Sequence, residues 1–379
     1  MGNNVVEGFT KITLRILCGV SILGTVLQLI PIPSESLWPL NAVARELWPW
    51  LLVFNVLALA LTIARQKMLS AVFALGSVVA GWPLLQLHGI ASSMKDQWQA
   101  NAFPAEQLPH PDMSSTLGPS FAALGGSFVS PQKLPLGILL FGTDGPDRPA
   151  PIVIQIHGGS WQHGSPNDNA DFCSYFALRG WKVFSLNYRL APADKYPAQI
   201  DDVRASINWI HQHATEYDAD PSRIVLIGHS AGGHLAMLAG FTEQAILIRG
   251  IVNFYGPGDL AELYRHPPQP DPIDVRAKLT AFLGGSIEQR SQTYLDASPI
   301  NQIKTAVPPT LLIQGALDHV VEPAHTRALQ KQLLDNGNRS LLLELPWSDH
   351  SFDFVHFGPG NALAMQYIDA FMRIVADVD

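Results

Sequence analysis

Apolar positions are distributed in two different ways along the chain, and the change comes near residue 95. Before it they form long runs, Ile12–Ile30, Leu47–Ala64 and Leu69–Ile90. Each is close to the roughly 20 residues that cross a bilayer core as a helix. Gly24, Gly76 and Gly81 inside them suit membrane helices better than water-facing ones, and Pro83 is expected to kink the third. Lys11 and Arg15 lead into the first run as they would into a signal peptide. No small-x-small cleavage site follows, however, only Pro31-Ile-Pro33. The pattern predicts a membrane region over 1–95 with three transmembrane helices, at about 12–30, 47–64 and 69–90.

Residues 96–119, rich in Pro, Ser, Gln and Asn, read as a linker. From about 120 the apolar runs become short. Leu136–Phe141, Ile152–Ile156, Trp181–Asn187, Ile224–Ile227, Ile251–Tyr255, Thr310–Gln314 and Leu341–Leu345 read as buried strands. Helical runs lie between or after them, at about Asn169–Leu178, Ala198–His211, Ser230–Gly240, Pro323–Asn336 and Gly360–Val375. This alternation predicts an α/β fold over 120–379, with a mostly parallel, doubly wound sheet covered on both faces. Residues 256–305 interrupt the rhythm with Pro257, Pro267, Pro268, Pro270 and Pro272, then a helix-like Ala277–Phe282. An insertion beyond a strand's carboxyl end sits where ligands bind, so this stretch is expected to form a small cap.

Composition sharpens the first region more than the second. Only 15% of the residues are charged, and mean hydropathy is slightly positive, as membrane segments would make it. The net charge of -8 and the lack of basic clusters argue against nucleic acid as a partner. Cys18 and Cys173 lie in different regions, so no disulfide and no metal pattern is expected. Lys11, Arg15, Arg65 and Lys67 flank one side of the three runs, while Arg45 and Lys95 flank the other. The cation bias puts the N-terminus in the cytoplasm and everything after residue 95 on the periplasmic or lumenal side. Trp38, Trp48, Trp50 and Trp98 would then form an aromatic belt at the outer interface. Alkaline phosphatase fused after Asp379 should accordingly be active in a bacterial host; an inactive fusion would reverse the orientation.

The second region carries the chemistry. Strand Ile224–Ile227 runs into Gly228-His-Ser230-Ala-Gly232, a G-x-S-x-G turn, and a helical run follows. That context presents a serine hydroxyl at a sheet edge, above the free N–H groups of a helix start. Upstream, Ile152–Ile156 ends in His157-Gly158-Gly159-Ser160-Trp161. Glycines there let the amides of Gly158 and Gly159, with that of Ala231, face a developing oxyanion. A serine needs a base and the base needs an orienting acid. In the order Ser, Asp, His the candidates are Asp318, just past Thr310–Gln314, and His350, just past Leu341–Leu345. Asp259 is a rival acid, and His319 and His356 are rival bases. Trp161 and Trp347 are expected either to line a substrate pocket or to pack. His211, His213, Asp201 and Asp202 read as ordinary helix-end residues.

The motifs His157-Gly-Gly-Ser-Trp161, Asn187-Tyr-Arg-Leu-Ala-Pro192 with Tyr196-Pro197-Ala198, Gly228-His-Ser-Ala-Gly-Gly233, Gly315-Ala-Leu-Asp318 and Asp349-His350 occur in one order. With them the chain resembles α/β-hydrolase esterases of the hormone-sensitive-lipase, feruloyl-esterase and isoprenylcysteine-methylesterase kind. The resemblance implies an α/β-hydrolase fold and a carboxylic-ester hydrolase with Ser230 as nucleophile, Asp318 as acid and His350 as base. Three departures stand out: His229 precedes the serine where Gly-Asp is frequent, Asn187 replaces a common Asp, and soluble members lack the apolar N-terminus. No metal or organic cofactor is called for. A multi-pass anchor favours a lipophilic ester, delivered from the bilayer. A piece starting near residue 100 is then expected to keep its rate on short soluble esters and lose it on membrane-embedded ones. An acyltransferase with the same triad and an idle membrane scaffold are the alternatives.

Overall fold

The computed structural model describes residues 2–62, 67–110, 128–143, 149–243 and 245–377, with side chains from residue 13 onward. Residues 111–119 of the expected linker, and 120–127 after them, lie outside the described residues. Eight strands form one sheet: β1 (Gln132–Lys133), β2 (Leu139–Phe141), β3 (Ala150–Ile156), β4 (Lys182–Leu186), β5 (Ala219–His229), β6 (Ile248–Phe254), β7 (Thr310–Gly315) and β8 (Ser340–Leu345). Their order is β1-β2-β4-β3-β5-β6-β7-β8, antiparallel at β1–β2 and β2–β4 and parallel elsewhere. This is the α/β-hydrolase arrangement. Parallel pairing brings the ends of β3, β5, β7 and β8 to one edge of the sheet, and the predicted chemical residues follow those ends.

The apolar strand cores appear where the sequence put them, because both faces of the sheet are covered. Ile152, Ile154, Ile224 and Leu226 point into one layer, with helices Ala198–His213, Ala231–Thr242 and Pro323–Asp335. Val153, Val225, Ile227 and Val252 point into the other, with helices Ala170–Ala177 and Pro359–Val375. β1 was not expected. Its two side chains are exposed, so no buried pattern marks it.

The 256–305 insertion holds three short helices rather than one, Leu260–Arg265, Val275–Leu283 and Ile287–Asp296. Each start is capped. Asp259 accepts from Glu262 N at 2.9 Å and Asp274 from Ala277 N at 3.2 Å, while Ser286 and Gln289 form a capping box. Leu260, Leu279, Phe282 and Tyr294 are buried beneath them.

The N-terminal region departs from expectation. It folds as α1 (Gly2–Leu29), α2 (Pro39–Glu46), α3 (Trp48–Thr62) and α4 (Lys67–Ala100). Three membrane spans are not what these helices show. Among the described residues only α4 is by itself long and apolar enough to cross a bilayer. The apolar part of α1, Thr13–Leu29, is shorter, and α3 has 15 residues. α2 and α3 pass that test only as a pair bent by 62°. The 34 residues of α4 make a rod about 51 Å long at 1.5 Å per residue. It therefore continues past residue 95, and the first residues of the expected linker are its last turn. There Met94 and Trp98 are buried against the second layer of the hydrolase core. Gln97 exchanges two hydrogen bonds with the backbone of Leu342, at 3.0 and 2.7 Å, and Asn101 two with Ser340, at 3.0 and 2.7 Å. Nor do the four tryptophans form a belt: Trp48 and Trp98 are buried in protein, Trp50 is exposed, and Trp38 reaches the chemical edge of the sheet.

Candidate active site

β5 ends at His229 and the next helix starts at Ala231, so Ser230 must turn the chain alone. It does so at φ 52°, ψ -119°, a conformation that L-residues rarely adopt. The turn closes because its flanks are glycines. A Cβ on Gly228 would lie 2.1 Å from the carbonyl oxygen of Gly232, and one on Gly232 would lie 2.1 Å from that of Ile156. Ser230 N donates to Phe254 O at 2.9 Å, which pins the turn to β6.

The structure brings Ser230, His350 and Asp318 into one line. Ser230 Oγ lies 3.0 Å from His350 Nε2, and His350 Nδ1 lies 2.8 Å from Asp318 Oδ2. The Asp318 carboxylate is held on both oxygens. Oδ1 accepts from the amides of Val320 and Val321 at 2.8 and 2.9 Å, and Oδ2 also accepts from Gln314 Nε2 at 2.9 Å. Asp259, the rival acid, is occupied as a helix cap. His356 pairs with Asp171 at 3.2 Å, and His319 sits 2.8 Å from Asp349; neither replaces His350.

The His-Gly-Gly turn lies against the serine. A Cβ on Gly158 would be 3.4 Å from Ser230 Cβ, and Gly159, at φ 111°, has His163 O where its own Cβ would be, 2.3 Å away. Ala231 is the first residue of a helix, where amides lack intrahelical acceptors. Gly158 and Gly159 line the cavity at Ser230, and Ala231 directly follows the serine. His157 stiffens this turn. Its ring stacks on Tyr188 at 4.2 Å, Tyr188 Oη donates to His157 O at 3.0 Å, and burial holds the imidazole below its ordinary pKa. Arg189 of the same motif chelates Asp202 at 2.9 Å and so fixes the loop to the following helix.

A cavity of about 260 Å3 opens at Ser230, between Gly158, Gly159 and His163 on one side and Tyr255, Val320 and Phe354 on the other. Ile273 of the cap and Trp38 of the N-terminal region also line it. Trp161 and Trp347 do not. Trp161 stacks on Phe282 at 4.4 Å and donates to His234 Nδ1 at 3.2 Å. Trp347 packs against Trp48 with centroids 6.0 Å apart. Both are buried, and of the two readings open from the sequence they take the packing one.

Residue 140 to residue 333, which includes β3, the serine turn and the loop of Asp318, matches the BD-FAE family model. The chain belongs to the BD-FAE family. Among curated relatives it is 32% identical over 247 residues to the probable carboxylic ester hydrolase LipM of Mycobacterium tuberculosis (strain ATCC 25618 / H37Rv). That match covers 60% of this chain and 54% of LipM. It is 33% identical over 231 residues to the esterase LipC of the same strain, covering 56% of this chain and 55% of LipC. The chain thus spans about half the length of these curated relatives. A solved structure titled Bacterial Heroin Esterase shares the fold, with TM-score 0.59 at 23% identity over 75% of this chain and 98% of that one.

Three parts of this BD-FAE site were not visible in the sequence. Tyr255, at φ 42°, faces His350 with ring centroids 4.4 Å apart and donates its hydroxyl to buried Asp353. Burial and that carboxylate push its pKa well up. Asp349 accepts from His350 N at 2.7 Å, and Arg45 forms an ion pair with it. Trp38 meets the His350 ring edge-on at 6.0 Å. A strand ending in Tyr255 hinted at the first of these; nothing local marks the other two.

Proposed function

We propose that this BD-FAE protein is a membrane-anchored serine esterase that cleaves a lipophilic carboxylic ester through an acyl-enzyme. The observation that carries the reading is the line Ser230–His350–Asp318, with the Gly158 turn packed against the serine; the amides of Gly158, Gly159 and Ala231 are the donors this reading assigns to the oxyanion. In this reading His350 Nε2 takes the proton of Ser230 Oγ as the oxygen attacks the ester carbonyl. The three amides stabilise the oxyanion, and the imidazolium gives its proton to the leaving alcohol. Asp318 fixes the tautomer of His350 and stabilises its charge. Water, activated by the same imidazole, then releases the acid. The relatives' names, carboxylic ester hydrolase and esterase, agree with this chemistry.

The membrane part of the reading rests on α4 as a span, with the bent α2–α3 pair beside it. Ile16, Leu23, Trp50, Leu57, Leu75, Val78, Trp82 and Leu85 all expose apolar surface on these helices. A belt this large belongs in hydrocarbon rather than water. The cation bias of the flanks puts the hydrolase on the non-cytoplasmic side, as the phosphatase fusion described above would check. Ile273, Val320, Phe354 and Trp38 give the cavity apolar walls, which suits an ester with a greasy acyl or alcohol part.

Ser230→Ala tests the chemistry. Hydrolysis of p-nitrophenyl butyrate should fall to near background, a loss on the order of 10⁶ in turnover by analogy with subtilisin. A fluorophosphonate probe should label the parent and not the variant. Persistent labelling would move the nucleophile elsewhere.

A further inference from the structure

The loops that carry Asp318 and His350 are joined by a residue from neither. Arg45, at the end of α2, donates Nη1 to Leu317 O at 3.0 Å and pairs through the same nitrogen with Asp349 Oδ2. Leu317 precedes Asp318 and Asp349 precedes His350. One guanidinium thus ties the residue before the acid to the residue before the base. Both charges are buried, Arg45 at 5% exposure and Asp349 at 0%. Asp349 Oδ1 in turn accepts from His350 N at 2.7 Å. Glu46, the next residue of α2, accepts from Ser348 Oγ and from Gly360 N, the latter at 2.7 Å, and so holds the other side of the same loop.

The arm that delivers these residues is itself fixed. Asn41 donates to Leu27 O and Ile30 O at 2.7 and 2.8 Å and accepts from Ile32 N at 2.8 Å. Glu35 meets Lys278 of the cap at 2.8 Å. Between them Trp38 is set at the cavity wall, edge-on to His350.

We propose that α2 and the arm before it are part of the ester site: Arg45 is a positioning residue that sets the spacing of the Asp318 and His350 loops, and Trp38 is a specificity-determining wall for substrate. The proposal rests on the Ser230 esterase reading and adds to it that the N-terminal region is required for chemistry as well as for placement. Paired buried charges of this kind cost more when one partner is removed than they contribute as a pair. Here the pair bridges the two loops that carry the acid and the base.

The charged and titratable groups around His350 are Asp318 on the β7 loop, Asp349 and His319 beside the two loops, Tyr255 with Asp353 behind it, and from α2 both Arg45 and Glu46, whose carboxyl is pushed up to about 7 by burial. Arg45 is the permanent cation of this set. Replacing it with a neutral residue leaves the Asp349 charge uncompensated and favours imidazolium over the neutral base. The acid side of the rate profile then moves to higher pH. A purely structural role would lower the yield of folded sites without moving that limb.

The test uses the full chain in detergent, with p-nitrophenyl acetate and octanoate as probes and sites counted by fluorophosphonate titration. For Arg45→Gln, kcat per site should fall about 10²-fold with KM nearly kept, the scale of a misplaced catalytic group. The acid limb of kcat/KM should rise by about one pH unit, as removal of a nearby countercharge requires. Arg45→Lys should return the limb to its parental position with kcat still below parental. Trp38→Ala should change the octanoate-to-acetate ratio of kcat/KM several-fold. Parental kcat per site and a parental limb in Arg45→Gln overturn the positioning role. If that variant yields no labelled sites, Arg45→Lys decides, and parental kcat per site there overturns it. An unchanged chain-length ratio in Trp38→Ala overturns the wall. A parent that fluorophosphonate does not label at Ser230 overturns the esterase reading beneath both.

Discussion

The N-terminal helices and the hydrolase region are built with opposite polarity. In the hydrolase the interior is apolar, the β-sheet sandwiched between Ile154, Leu226 and Leu235 on one face and Val153, Val252 and Phe371 on the other. In the helices the apolar side chains face outward, Leu57, Leu61, Val78 and Leu85 among them. Polar groups are turned inward: Ser21 donates to Asn55 at 2.5 Å, and Ser70 donates to Thr62 at 3.2 Å. Gly76 packs so closely on Asn55 that an added Cβ would lie 2.6 Å from its amide oxygen. Small residues and internal polar bonds hold helices together where there is no water to drive them. The two regions meet through an apolar contact, Ile90, Met94 and Trp98 against the sheet, and through a polar one, Arg45 and Glu46 against Asp349 and Ser348; the polar one lies beside His350.

Removing the N-terminal helices has the largest expected effect. From the sequence, a piece starting near residue 100 is expected to keep its rate on short soluble esters. The structure reverses that expectation. Without residues 1–100 the sheet loses Ile90, Met94 and Trp98 from its second layer, and the histidine loop loses Arg45. Hydrolysis per milligram should fall to near background on p-nitrophenyl acetate as well as on octanoate. A truncated protein active on acetate alone would restore the view of the helices as delivery only.

A smaller effect sharpens the polarity itself. Val78→Asp with Leu85→Asp places charges on exposed positions of α4. In water such surface changes stay within about 0.5 kcal/mol. In a membrane each costs about 3 kcal/mol near the helix centre. The double variant should leave the membrane fraction on sedimentation; retention there would mean that this face does not touch lipid.

The smallest effect concerns a buried polar group on the hydrolase side. His234 accepts from Trp161 and lies 2.7 Å from Ala297 O, and burial lowers its pKa to about 4. It is neutral when folded and binds a proton when unfolded below about pH 6.5. Stability should therefore be full above that pH and fall as pH drops towards 4, by roughly 3 kcal/mol from this group. His234→Gln should flatten that part of the urea-midpoint profile, and an unchanged slope would assign it to other groups.

What the sequence revealed, and what it hid, follows from how far each signal reaches. Ile224–Ile227 and its glycine turn are local, so strand, Ser230 and helix could be read together. Asp318 and His350 follow apolar strand ends and are legible from sheet topology. α2 is not. Its eight residues place Leu40 and Val43 on one helical face and Asn41 and Arg45 on another, but it is the polar residues, with Glu46, that are buried and Leu40 and Val43 that are exposed, the reverse of what the pattern predicts. Arg45 counts as a flanking cation until its partner, 304 positions on, is known. Trp38 resembles a belt residue for the same reason. The three long runs were seen, but the lengths of apolar stretches could not show that α4 continues into the hydrolase or that α2 bends away from α3.

Gln97 and Asn101, at and just past the end of α4, also cover the free edge of the sheet. β8 is the last strand in the sheet order, and beyond it the sheet would present bare backbone to any passing chain. Gln97 and Asn101 occupy the groups of Leu342 and Ser340 that another strand would seek. An exposed border of this kind is where sheets pair edge to edge and aggregate. Two side-chain amides, one in the last turn of α4 and one just past it, cover that border and leave no free strand edge there for a second sheet.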